Sequence, residues 1–215
     1  MNKNEISLLT GLINRRRSIR KYTPEIPPAG WIKSMIHCAA RAPSPSNSRP
    51  VRFVRIISEK IREDINMAME KGRKRFLEAV EGLEGQKKLK NRINAYFRFS
   101  QFMFDAPILF AVGTVLSRSG FSERLFDAGI LKRHDREDTD LDITVGLALK
   151  GFLLRGEELG LGACILTAPL VFIPDIEEVA GIKDISIKCF VTAGFPHEKP
   201  GFIERICADD ILIEA

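Results

Sequence analysis

Arg16, Ser18 and Arg20 are the residues of this 215-residue chain whose types and spacing point most directly to chemistry. They belong to the run Arg15-Arg16-Arg17-Ser18-Ile19-Arg20-Lys21-Tyr22, which follows a segment (Ile6, Leu8, Leu9, Leu12, Ile13) whose apolar spacing predicts a short helix. If the chain leaves that helix extended, residues 16, 18 and 20 project to one side, because successive strand side chains alternate faces. Two guanidiniums then flank a hydroxyl, an edge suited to an anion. The competing reading is a basic, solvated helix end in which Arg15 to Arg17 complement the macrodipole, and a charge run alone does not separate the two.

A second stretch, Ala42-Pro43-Ser44-Pro45-Ser46-Asn47-Ser48-Arg49-Pro50, has too many prolines for a helix and reads as a stiff polar loop. No nucleophile elbow, H-E-x-x-H or phosphate-binding P-loop is present. Cys38, Cys164, Cys189 and Cys207 lack metal-ligand spacing and read as reduced, mostly buried residues. His37 falls on an apolar helix face and reads as a core histidine, while His134 and His197 lie in polar stretches and read as solvated.

The elements that must position these residues follow from periodicity. Helical spacing is predicted over Trp31 to Arg41, from Glu59 to Asp105 with a break at Gly82 to Gly85, over Ile143 to Leu159 and over Pro174 to Ala180. Strands are predicted at Val51 to Ile57, Pro107 to Val115, Ala163 to Thr167 and Ile185 to Ala193. The cluster Tyr96, Phe97, Phe99, Phe102 and Phe104 reads as part of a core stripe made by Ala95, Phe99, Phe102 and Met103. Ile143 to Leu159 is apolar around most of its circumference and carries Gly146, Ala148, Gly151 and Gly156. It is therefore expected to be buried, against a symmetry mate among other options, with Lys150 either lining a cavity or reaching water. Asp138 to Asp142 reads as that helix's acidic start rather than a calcium loop, and Ser117 to Asp140 as an excursion outside the core.

At 45% apolar and 28% charged, the composition is that of an ordinary globular protein, and residues 1–215 read as one domain. No stretch approaches the ~20 apolar residues of a membrane span, and the first residues lack a signal peptide's apolar core, so a cytoplasmic protein is expected. The charge of +5 permits an acidic partner, and a basic polyanion-binding module is a remote alternative. The lysines and arginines of 71–92 alternate with Glu78, Glu81 and Glu84, however, so neither nucleic acid nor membrane is the expected partner.

Taken in order, the motifs resemble the FMN-dependent nitroreductase family. Arg16-Arg17-Ser18-Ile19-Arg20-Lys21-Tyr22 is similar to that family's R-R-S-x-R-x-[FY], and the 42–53 stretch to its A-P-S-x-x-N-x-Q-P-W-x-F. Gly160-Leu161-Gly162-Ala163-Cys164 matches its glycine-rich signature, and Gly194-Phe195-Pro196-His197-Glu198-Lys199-Pro200 with Arg205 its closing motif. The resemblance implies an α+β fold: a central mixed, mainly antiparallel sheet flanked by helices, in a homodimer around a buried central helix. It implies FMN at the subunit interface, with Arg16, Arg17 and Arg205 on the phosphate, Ser18 on the ribityl chain and Arg20 stabilising the reduced ring. Pro43, Ser44, Pro45 and Asn47 would come from the other subunit, and Thr167 and Ala168 would line the flavin. The implied activity is NAD(P)H-dependent reduction of a nitroaromatic or quinone-like acceptor by a ping-pong mechanism, with no catalytic side chain beyond the flavin. Arg49-Pro50-Val51 replaces the Gln-Pro-Trp of many relatives, which keeps open a specialised enzyme acting on a larger metabolite or on flavin itself.

Overall fold

The computed structural model describes residues 7–115, 121–130, 139–201 and 210–213. Four strands, β1 (Val51–Arg55), β2 (Ile108–Val115), β3 (Gly162–Leu166) and β4 (Ile185–Gly194), form one sheet in the order β1-β2-β4-β3. Every neighbouring pair is antiparallel. The parallel contact is an isolated bridge between Ser18 and Ala163 beside the β3 edge. β2 and β4 are buried nearly end to end, which is why their sequences read as continuous apolar runs rather than alternating ones.

Alternation divides β2 between two cores. Ile108, Phe110 and Val112 point into a cluster with Met35, Phe152 and Val191, beneath α2 (Ala29–Ala39) and α6 (Thr139–Glu158). Leu109 and Ala111 point the other way, to Ile65, Met69, Phe172 and Phe190, beneath α3 (Glu59–Ala79), α4 (Gln86–Ser100), α7 (Ala168–Phe172) and α8 (Ile176–Val179). A register shift after Val112 needs Gly113, where a Cβ would stand 2.1 Å from the Ser186 carbonyl oxygen. Arg62, buried on α3, donates to the carbonyls of Phe104 (2.8 Å) and Ala106 (3.0 Å) and ties α3 to the entrance of β2. Burial holds its pKa below the usual arginine value. No helix among the described residues is long and apolar enough to cross a membrane. Elements α1 (Leu8–Arg15) and α5 (Phe121–Asp127) complete the described helices.

Two expectations, on α4 and α2, are corrected here. Within one chain α6 buries one face (Val145, Ala148, Leu149, Phe152, Gly156), whereas Ile143 and Leu147 are 56% and 44% exposed and Lys150 lies on the same outward side. Gly146 accordingly faces open space, while Gly151 admits α2, a Cβ there standing 2.9 Å from the Cys38 carbonyl oxygen. On α4 the inward stripe is Ile93 and Phe97, one turn apart, continued by Met103 beyond the helix end. Phe99, two residues from Phe97, is turned to the opposite side and is 73% exposed, as Tyr96 is 60% exposed. His37 is exposed, its Nε2 3.1 Å from the Arg41 guanidinium, because it falls on the outer side of α2.

Candidate functional site

The edge at residues 16–22 is built by tying a loop to two strands. Ser7 caps the start of α1, accepting the N–H of Thr10, and at the other end Arg17 folds back. Its Nη1 donates to the carbonyls of Asn14 (2.7 Å), Arg16 (3.0 Å) and Arg15 (3.3 Å), which satisfies the helix's last acceptors. The chain then runs past β3, with Ile19 N–H donating to the Ala163 carbonyl at 3.1 Å. Ile19 is buried over Gly162, where a Cβ would stand 2.5 Å from its side chain. This explains the glycine: the loop lies flat on the strand.

After Ile19 the chain turns back along the end of β4, where Thr23 N–H donates to Phe195 O and His197 N–H to Lys21 O, both at 2.9 Å. One oxygen of Glu198 accepts the N–H groups of Arg20 (2.5 Å) and Lys21 (3.1 Å) at the turn. Tyr22 locks the turn from below. Its phenol donates to the Ile19 carbonyl and lies 2.8 Å from the hydroxyl of fully buried Thr192, which also reaches the Cys164 carbonyl at 3.4 Å. Burial pushes the Tyr22 phenol above its ordinary pKa, the bond to Thr192 opposing.

Ser18 bridges Ala163 in parallel at the edge of β3, with Arg16 and Arg20 two residues to either side of it, while Arg17 has a different task. Burial raises the pKa of the neighbouring Cys164 thiol. Arg20 is exposed, and Arg16 and Ser18 are half-buried, so the cluster is cationic and open to solvent. Thr167 and Ala168 follow the end of the same edge strand, Thr167 exposed and Ala168 half-buried in the first turn of α7. Cys189, buried among apolar residues, has its thiol pushed up to about 12. No His, Cys, Asp or Glu cluster able to hold a metal occurs among the described residues.

The second predicted half lies elsewhere. Pro43, Ser44, Pro45 and Asn47 form a largely exposed loop with a tight turn over Pro45–Asn47. Ser46, Asn47 and Arg49 adopt left-handed φ values of 49°, 55° and 50°. Ser44 Oγ accepts the Arg49 N–H (2.9 Å), and Asn47 Oδ1 accepts from Arg49 Nε (3.2 Å). This loop feeds β1, whose Val51 is level with Thr114 and so with Ser186, whereas Ala163 on the opposite edge is level with Ala193. By strand spacing the two halves stand roughly 25 Å apart in one chain, at diagonal corners of the sheet. Arg205, the remaining predicted phosphate ligand, lies outside the described residues.

Reading the sequence placed Tyr22 and Cys164 within motifs but missed their contacts, and it missed Thr192 and Glu198 as parts of this edge. Glu198 stood inside the closing motif, but nothing in sequence marks two amides a long way upstream as its partners.

A family model for the nitroreductase family matches residues 13–195, and the chain belongs to that family. Among its relatives, the iodotyrosine deiodinase of Thermotoga neapolitana is 28% identical over 205 residues, 92% of this chain and 94% of that protein. In structure the chain resembles a BluB-like flavoprotein from Clostridium difficile 630, with TM-score 0.79, 22% identity, and 98% of this chain and all of that one covered. It also resembles an NADPH:FMN oxidoreductase from Vibrio harveyi solved with NAD+, with TM-score 0.67 and 16% identity, over 96% of this chain and 76% of that one.

Proposed function

We propose that this protein is an FMN-dependent oxidoreductase that uses NAD(P)H to reduce an electron-poor, nitroaromatic or quinone-like acceptor by a ping-pong mechanism. The observation that carries the reading is the parallel bridge that lays Ser18, flanked by Arg16 and Arg20, along the open β3 edge in a nitroreductase-family chain. That donor set suits a ligand with a dianionic phosphate, a hydroxylated chain and a ring that gains negative charge on reduction. Bound there, FMN would supply the redox chemistry between NAD(P)H and the acceptor.

The chain's own residues bind and orient. Arg16 offers a forked donor to the phosphate, with Arg205 as its proposed companion and Arg17 contributing charge while it caps α1. Ser18 serves a ribityl hydroxyl. Arg20, with its backbone pinned by Glu198, would offer a cation to the ring and favour its reduced form electrostatically. Thr167 and Ala168 present backbone to the ring.

Pro43, Ser44, Pro45 and Asn47 are too distant to reach the same cofactor within one chain, so the reading requires a homodimer in which each loop serves the partner's edge. Unpaired apolar faces support this: Leu8, Leu9 and Ile13 on α1, and Ile143 and Leu147 on α6, are exposed. The test is to reconstitute purified protein with FMN and add NAD(P)H without oxygen. A protein-bound flavin absorbance band that bleaches is expected; no bound flavin overturns the reading.

A second reading is supported by Arg49 in place of an aromatic-flanked glutamine and by the similarity to a deiodinase. On it, the same cofactor site serves a larger metabolite, a halogenated aromatic or flavin itself. Turnover of the reduced enzyme by a panel of nitroaromatics, quinones, halotyrosines and free flavin separates the two.

A further inference from the structure

The outward face of α4 is unlike the rest of the surface. Leu89, Tyr96 and Phe99 are 38%, 60% and 73% exposed, and Leu83 on the turn entering the helix is 52% exposed. At helical spacing Lys88, Leu89, Arg92, Tyr96 and Phe99 lie on one side, while Ile93 and Phe97 hold the helix to its core from the other. The helix carries Lys87, Lys88, Lys90, Arg92 and Arg98 and no acidic residue. Of these, Lys90 turns away and pairs with Glu81 at 3.1 Å, leaving Lys88 and Arg92 interleaved with the aromatics. Glu84, on the entering turn, is the nearest other acid in sequence.

An occupant must accept two aromatic rings and a leucine, and it must carry negative charge. A second copy of the same face meets like charge with like. A nucleic-acid strand accepts the rings by stacking but gains nothing from leucine, and it favours a groove over a convex helix. A flat anionic lipid surface satisfies all three features: apolar side chains enter the acyl boundary while Lys88 and Arg92 stay at the headgroups.

We propose that α4 docks this protein onto anionic membrane surfaces. The sequence excluded a spanning segment, and it hid this face because Phe99 read as core. α4 packs on the sheet face opposite α2 and α6, so docking leaves the α6 face clear for a second subunit.

The full-length protein is mixed with vesicles of phosphatidylcholine alone or with about 30 mol% phosphatidylglycerol, then sedimented at low and high salt. Binding to the anionic vesicles, weakened by salt and absent with phosphatidylcholine alone, is expected. Lys88→Ala/Arg92→Ala should lower partitioning about thirtyfold, and Tyr96→Ser/Phe99→Ser about a hundredfold. Both variants should keep the wild-type unfolding midpoint, since the replaced groups pack on no core. Equal binding of wild type to both vesicle types, no binding to either, or variants that bind like wild type overturns the proposal. So does a change of oligomeric state in Tyr96→Ser/Phe99→Ser, or tighter binding of a single-stranded oligonucleotide than of vesicles.

Discussion

Between Ile19 and His197 the arginine edge is stitched to its surroundings by main-chain bonds to Ala163 and Phe195, by Glu198 on two amides, and by a buried Tyr22–Thr192 pair. The 43–49 loop holds itself: Arg49 donates to Ser44 and Asn47, and Arg52 donates back to the Arg49 carbonyl. Three of its non-glycine residues sit at positive φ. The first region is fixed by the fold, whereas the second is held by bonds within itself. On the proposed reading, a site assembled from one of each, on different copies of the chain, would combine a braced anion edge with a cover that arrives on association.

The largest effect expected from this contrast comes from splitting the halves. Arg16→Ala should weaken FMN binding about fiftyfold, the loss of a charge-assisted bond to phosphate. Ser44→Ala/Asn47→Ala, made in the other half, should weaken it less. Unfolding and co-refolding the two variants together should restore wild-type affinity at about a quarter of the sites, because half of the dimers are mixed and each of these has one intact pair of halves. Flavin titration reads this directly. Recovery absent from the mixture would place both halves in one subunit and remove the contrast.

Next in size is the bracing itself. Tyr22→Phe removes the hydroxyl from the Ile19 carbonyl and Thr192 and should cost about 1–2 kcal/mol of unfolding free energy. Ser44→Ala, in the exposed loop, should cost at most about 0.5 kcal/mol. The Tyr22 phenol also sets a pH dependence. Its folded pKa lies above the ordinary value, so from about pH 10 upward the unfolded chain releases a proton that the folded chain keeps. The stability this contributes is complete below that pH and is lost as pH rises beyond it. Tyr22→Phe should therefore flatten the alkaline fall in denaturation midpoint; an unchanged slope would assign that fall to other groups.

The braced half was partly legible in the sequence. The sequence marked the run 16–20, which the structure lays against β3 with Ile19 buried, and the apolar runs of β2 and β4 announced a sheet covered on both faces. The bonds of Tyr22, Thr192 and Glu198 were not legible, since their partners, main-chain groups and for Tyr22 and Thr192 each other, are brought near by tertiary contacts rather than by local spacing. For the same reason Phe99 was misread: Phe97 and Phe99 fit equally well into an apolar window, and only the rotation of α4 against Phe172 chooses Phe97. Arg17 shows the opposite limit, where the plainer expectation of a helix-end cation describes its contacts.

The smallest effect tests the loop's self-containment. Ser46 sits at φ 49°, ψ 26°, a left-handed conformation that costs a non-glycine residue of its kind about 1 kcal/mol. Its neighbours Ser44, Asn47 and Arg49 carry the bonds, and among the described residues the Ser46 side chain makes no hydrogen bond. Ser46→Gly relieves the strain but loosens the unfolded chain, so the net change should be a gain of no more than about 0.5 kcal/mol. Were Ser46→Gly instead to lose more than that in thermal unfolding of the dimer, the serine would be gripped by a second chain, and the loop would be held by its neighbour as firmly as the arginine edge is by its own sheet.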